Sequence, residues 1–118
     1  MISKQEQLER EERILYEKQD ELDAAGRQLE ELQEDYLEQF HSSSRLFEEL
    51  RESFHQNDFA LLFEDLHTDF RQEQHHILED LEDGQEALKQ EQTQAQERLD
   101  KLYYEKRKVE MDTEDENE

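Results

Sequence analysis

Phe54-His55-Gln56-Asn57-Asp58-Phe59-Ala60-Leu61-Leu62-Phe63 breaks an otherwise regular apolar pattern with four polar residues, and a chain reversal at that break decides the fold. Asn57 or Asp58 can accept backbone hydrogen bonds as the N-cap of a second helix. Outward from this point lie all six phenylalanines: Phe40, Phe47 and Phe54 before it, Phe59, Phe63 and Phe70 after it. Further out, two ladders advance in steps of seven: Leu8, Leu15, Leu22, Leu29 and Tyr36 on one side, Leu81, Leu88, Ala95, Leu102 and Val109 on the other. A step of seven returns to the same helix face every two turns, so each ladder is a seam that presses against another helix.

The predicted fold is all-α, a long antiparallel helical hairpin packed as a two-helix coiled coil around a short polar turn. Its helices are expected over about residues 4–55 and 58–110, with the turn at about 55–58. The acidic residues 112–118 lack an apolar period and are expected to have no regular structure. His41-Ser42-Ser43-Ser44 can loosen a helix, because serine competes for nearby backbone groups. Phe40, Phe47 and Phe54 keep one phase across it, and this favours a continuous helix that is free to kink there. A short connection makes the two helices neighbours. Phe47 is then opposite Leu66 and Phe70, Leu29 opposite Leu88, and Leu15 opposite Leu99 and Leu102. Gly26 and Gly84 fall near one level, which suggests a close approach or a bend.

Composition supports this reading. Of 118 residues, 31% are apolar and 42% charged, too few apolar groups for a layered globular core. Such a balance suits long exposed helices or disorder. The sustained period, the absence of proline and the presence of only two glycines favour helices. There is no cysteine, hence neither disulfides nor thiolate metal sites. Neither a signal peptide nor a run of apolar residues long enough to span a bilayer is legible, and the expectation is a cytoplasmic chain. A net charge of −22 repels nucleic acid and anionic lipid, so neither nucleic-acid binding nor membrane insertion is expected. One basic cluster, Lys101, Lys106, Arg107 and Lys108, is read as complementing the dipole of a helix C-terminus, with an acidic partner as the alternative.

The seam residues are Leu8, Leu15, Leu22, Leu29, Leu81, Leu88, Leu102 and Val109, with Ala25, Leu32 and Tyr36 continuing the first. Each helix of a hairpin covers one face of its neighbour, and the ladders fit so narrow a contact. The centre exceeds it, because Phe59-Ala60-Leu61-Leu62-Phe63 is apolar for more than a turn and Leu46 adjoins Phe47. Surplus apolar surface marks an interaction site. The candidate partner-binding residues are Phe40, Leu46, Phe47, Phe54, Phe59, Leu62, Phe63, Leu66 and Phe70.

Catalytic chemistry is not expected. Glu-x-x-His, a spacing that offers two ligands to one metal, occurs at Glu38 and His41, Glu52 and His55, Glu64 and His67, and Glu73 and His76. Most of these residues fall away from the phenylalanine seam, and glutamate is abundant enough for such pairs to arise by chance; they are read as hydrated pairs on the helix surface. Only Glu73, between Phe70 and Ile77, is expected in the seam. Neither a metal site nor a cofactor is predicted, and the absence of a phosphate loop, a nucleophile turn or a cysteine nucleophile argues for a non-enzyme.

The length, the acidic two-helix plan, the phenylalanine-rich region from Phe47 to Phe70 and the stretch Leu99-Asp100-Lys101-Leu102-Tyr103-Tyr104-Glu105-Lys106-Arg107-Lys108 resemble one family. It comprises the small helical partner proteins of LXG-domain toxins of the type VII secretion system, which are similar to WXG-type helical hairpins. The resemblance implies a targeting factor, or export chaperone, that binds the helical N-terminal domain of an LXG-type toxin. It also allows a second small helical partner and export together with the toxin. The chain departs from the WXG pattern in having no tryptophan. The Tyr-x-x-x-Asp/Glu export signal is also missing after the second helix, where Tyr103 is followed by Arg107 and Tyr104 by Lys108. Two other readings place the binding energy elsewhere: a self-associating coiled-coil scaffold that forms a four-helix bundle through its leucine ladders, and an acidic mimic of DNA that uses its exposed carboxylates.

Overall fold

A computed structural model describes residues 2–117, with side chains to residue 114. The fold is an all-α antiparallel helical hairpin of two long helices, α1 (Lys4–Phe54) and α2 (Ala60–Asn117). At the start of α1 the Ser3 hydroxyl accepts from the Glu6 amide at 3.2 Å, which satisfies one of the amide donors a helix leaves open at its N-terminus. α1 then runs unbroken through His41 to Ser44. In the turn Asn57 caps α2: its side-chain oxygen accepts from the Phe59 amide at 2.9 Å and its carbonyl from the Ala60 amide at 3.2 Å. The Ala60 bond closes a tight turn over residues 58 and 59, and the first bond of α-helical spacing runs from the Phe63 amide to the Phe59 carbonyl at 2.9 Å, so α2 starts two residues later than the sequence suggests. It also ends later, continuing to Asn117 through the acidic stretch expected to lack regular structure. Glutamate is a good helix former, and the Thr113 hydroxyl returns to the Val109 carbonyl at 2.9 Å. Residue 118 lies outside the described residues.

The chain divides into two compact units. The turn-bearing unit, Arg27–Gln85, is held by aromatic packing. Phe47 is its hub, with ring centroids 5.7 Å from Phe63, 4.9 Å from His67 and 4.8 Å from Phe70. Phe54 meets Phe63 at 6.0 Å, and Phe40 meets Phe70 edge-on at 6.5 Å. Such pairs add roughly 0.5–1.5 kcal/mol each beyond their buried area. Farther from the turn, the Gln74 side-chain amide donates to the Phe40 carbonyl at 3.5 Å and Gln85 donates to Gln33.

Three seam expectations change in this unit. Leu32 is exposed and Gln33 takes its place; Glu73 is exposed and Gln74 takes its place; Phe47 faces His67 instead of Leu66. One cause covers all three. Counting back in sevens from Leu81 gives Gln74, His67 and Ala60, and counting back from Phe47 gives Phe40 and Gln33. Helix phase therefore places these residues inward despite their polarity, and each polar group but His67 finds a hydrogen bond across the seam.

The second unit, Met1–Gly26 with Glu86–Glu118, has an aliphatic seam. Leu8, Leu22, Ala95 and Leu99 are buried there, and Leu102 is fully enclosed. Leu15, Leu88 and Val109 are half-buried, as is Leu29 in the other unit. Charged and amide groups flank the leucines. The Arg98 guanidinium grips the Glu11 carboxylate with two bonds, at 2.7 and 3.0 Å, and Lys106 stands 3.5 Å from Glu12. Gln96 accepts from Gln19 at 3.0 Å, and Asp23 accepts from Gln92 at 3.2 Å.

The hydrogen bond from Arg98 holds the Glu11 carboxyl below its ordinary pKa, a slight desolvation acting the other way. A depressed carboxyl stabilises the fold above its unfolded pKa, and that contribution disappears as pH falls through the folded value. The pair is solvent-exposed, so salt weakens it. Arg98→Gln should therefore lower the melting temperature slightly at neutral pH and leave it unchanged in acid, as checked by melts at both pH values. A shift of equal size at both would assign the effect of Arg98 to packing of its stem.

The two glycines differ in their surroundings. A Cβ on Gly84 would meet Leu29 Cδ2 at 3.4 Å, a close approach within the turn-bearing unit, whereas a Cβ on Gly26 would meet nothing within 4 Å. Glycine inside a helix costs about 0.5–1 kcal/mol relative to alanine. Gly26→Ala should therefore stabilise the chain by about that amount, read as a higher melting temperature; a loss would show that the helix needs glycine at that level.

Candidate protein-binding surface beside the turn

The nine residues singled out around the turn separate into two sets. Phe63 is buried, and Phe40, Phe47, Phe54 and Phe70 are half-buried, so these five rings form the internal staple of the turn-bearing unit. Leu46, Phe59, Leu62 and Leu66 point outward, each with more than half of its surface exposed. Helix phase explains the division. Leu46, Leu62 and Leu66 each precede a seam residue by one position: Phe47, Phe63 and His67 respectively. In an antiparallel pair related by a two-fold axis, positions just before the seam emerge on the same side of both helices.

That side carries an open apolar cavity of about 310 Å³ lined by Phe54, Phe59, Leu62, Phe63 and Leu66. Phe63 serves both sets, since its ring packs on Phe47 and Phe54 and also lines the cavity. Leu50, one turn beyond Leu46, remains partly exposed, and Leu61 is 82% exposed on the outer face of α2. Neither Leu50 nor Leu61 is among the nine residues that the sequence singles out for binding. The signal for Leu61 is there: five apolar residues in a row, 59–63, cannot all face one neighbouring helix.

His67 does not form the hydrated Glu-x-x-His pair that its spacing from Glu64 suggests; it is buried and stacked on Phe47 with the ring planes 18° apart. The signal that places it is the ladder from Val109 to Leu81 continued backward by fourteen residues. Other histidines lie outside the seam: His55 Nδ1 stands 2.7 Å from the Glu52 carbonyl oxygen, and His75 is 2.9 Å from Glu79. Among the described residues no three of His, Cys, Asp and Glu come together in a manner suited to a metal ion. Among them, too, no helix is long and apolar enough to cross a membrane.

The charge around the surface is one-sided. Residues 27–85 hold seventeen acids against four arginines and contain no lysine. One of the arginines, Arg51, is paired with Glu64 at 2.9 Å close to the turn.

Helices packed along seven-residue seams, with an apolar surface left open beside the turn, make this molecule a coiled-coil hairpin of the all-α class. The chain belongs to the family described as Protein of unknown function (DUF3958), whose model matches residues 3–109. No curated protein and no solved structure matches it.

Proposed function

We propose that this protein is a non-enzymatic binding partner that docks the apolar surface beside its turn onto a helical domain of another protein. The observation that carries the reading is the cavity lined by Phe54, Phe59, Leu62, Phe63 and Leu66, continued by exposed Leu46 and Leu50. Central apolar pockets bordered by charge are where binding energy concentrates in protein interfaces. The acid-rich border selects for a partner whose own apolar face is bordered by lysine and arginine. It also weighs against self-association, since two copies meeting here would each bring the same surplus of carboxylates.

The resemblance to the partner proteins of LXG-domain toxins gives this partner an identity: the helical N-terminal domain of an LXG-type toxin. In that reading the protein is a targeting factor or export chaperone of type VII secretion that delivers the toxin as a complex, with or without a second small helical protein. The test is co-expression of the tagged chain with such a domain, followed by purification and light scattering. A defined hetero-complex is the expected result. Recovery of the chain alone, at two or four times its 14.5 kDa mass, would favour the coiled-coil scaffold. Binding that collapses steeply with salt and ignores the leucines would favour an acidic mimic.

A further inference from the structure

A second surface, in the other unit, carries a run of cations between acidic stretches. Residues 101–108 hold four cations and one acid in a chain that carries 36 acids and 14 bases. A helix C-terminus does not account for them, because α2 continues to Asn117 and the dipole acts only within the last turn. Internal pairing accounts for one. Lys106 goes to Glu12, and the single acid of the stretch, Glu105, lies 3.4 Å from Arg98. Among the described residues no ion pair involves Lys101, Arg107 or Lys108.

These three cations border an apolar ridge. Tyr104 and Met111 stand seven residues apart, each two positions, or about 200° of helix, beyond the seam residues Leu102 and Val109. They therefore point away from α1, and they are 70% and 60% exposed. Lys101 and Lys108, also seven apart, each precede a seam residue by one and form one shoulder of the ridge. Arg107 is on the other shoulder with Tyr103, whose ring meets Tyr104 edge-on at 5.5 Å. Tyrosine, arginine and methionine are enriched at protein interfaces, and an exposed row of them is costly to leave unused.

We infer that this ridge is a second docking surface, whose occupant is an amphipathic helix of another protein with an apolar line flanked by glutamate or aspartate. Charge complementarity selects that occupant. Its carboxylates would neutralise Lys101, Arg107 and Lys108 on the two shoulders while its apolar line covers Tyr104 and Met111. A nucleic acid or an anionic membrane is a poor match, because three cations do not offset a net charge of −22 over a polyanion.

The test uses the full chain and two synthetic helical peptides of three heptads, both with leucine at the seam positions, one flanked by glutamate and the other by lysine. Binding is followed by fluorescence anisotropy at low and high salt. The glutamate peptide should bind, lose affinity as salt rises, and lose about tenfold or more in a Lys101→Glu/Arg107→Glu/Lys108→Glu variant, since every pairing across the ridge becomes repulsive. Tyr104→Ala should weaken the peptide at both salt concentrations. All four side chains are exposed or project from the outer face, so helix content measured on the same samples should stay unchanged. A Leu62→Ser/Leu66→Ser variant should bind the glutamate peptide as the parent does. The inference is overturned if the glutamate peptide does not bind, if the triple variant retains it, or if the Leu62 and Leu66 changes remove it. It is also overturned if a DNA duplex is held more tightly than the peptide. Failure of the glutamate peptide to bind, or its retention by the triple variant, leaves the surface beside the turn untouched.

Discussion

Leu102→Ala should lower the stability of the hairpin by about 2–5 kcal/mol, the range for a buried leucine truncated to alanine. Leu102 is the one large side chain fully enclosed among the described residues. A coiled-coil seam has no second layer to move into the space, and few neighbours share the load. Thermal melts followed by far-ultraviolet circular dichroism give the readout, with Leu37→Ala as the comparison. Leu37 is 47% exposed beside the seam, so its truncation should change stability by no more than about 0.5 kcal/mol. Equal effects of the two changes would mean that the seam is not where the free energy of folding resides.

Leu62→Ser/Leu66→Ser should abolish co-purification of the helical partner, a loss of about a hundredfold or more in affinity, while leaving the helices intact. Both side chains are more than half exposed and line the apolar cavity, so little folding energy depends on them. Truncating a central interface residue costs on the order of 2 kcal/mol or more, and two such changes beside one cavity act together. Phe63→Ser supplies the contrast. That ring packs on Phe47 and Phe54, and serine would open a void between them, so helix content and binding should fall together. A double leucine variant that still binds with parental affinity would remove the turn surface from consideration. One that loses its helices would show that the leucines belong to the internal packing.

The hairpin is legible in the sequence because its signals are redundant: a seven-residue ladder on each helix, one polar interruption between them, and Asn57 placed to cap α2. Which apolar residues face inward is harder to read. A run such as Phe59 to Phe63 has no period of its own, and hydropathy ranks phenylalanine and leucine alike. Phase separates them, and phase has to be carried across polar residues. His67, Gln74 and Gln33 occupy seam positions that a search for apolar residues skips, and their neighbours Leu66, Glu73 and Leu32 look like better candidates on the strength of polarity or spacing alone. The ends of α2 are obscure for local reasons. A tight turn closed by the Ala60 amide on the Asn57 carbonyl delays its start, and an acidic composition without apolar period says nothing against a helix made largely of glutamate and aspartate.

The bonds between Arg98 and Glu11 and between Lys106 and Glu12 have a consequence for how the strands of this coil find their alignment. A ladder that repeats every seven residues is degenerate: sliding one helix by a heptad past the other still sets leucine on leucine. The short turn forbids such a slide near the bend, and the polar groups oppose it along the aliphatic seam, as the marks on a vernier do. Displaced by seven in either direction, Arg98 would meet Lys4 or Lys18 instead of Glu11, and Lys106 would meet Gln5 or Gln19 instead of Glu12. Attraction turns to repulsion in the first case and is lost in the second. The ion pairs thus reinforce, far from the turn, the one pairing that the short connection and the phenylalanines set.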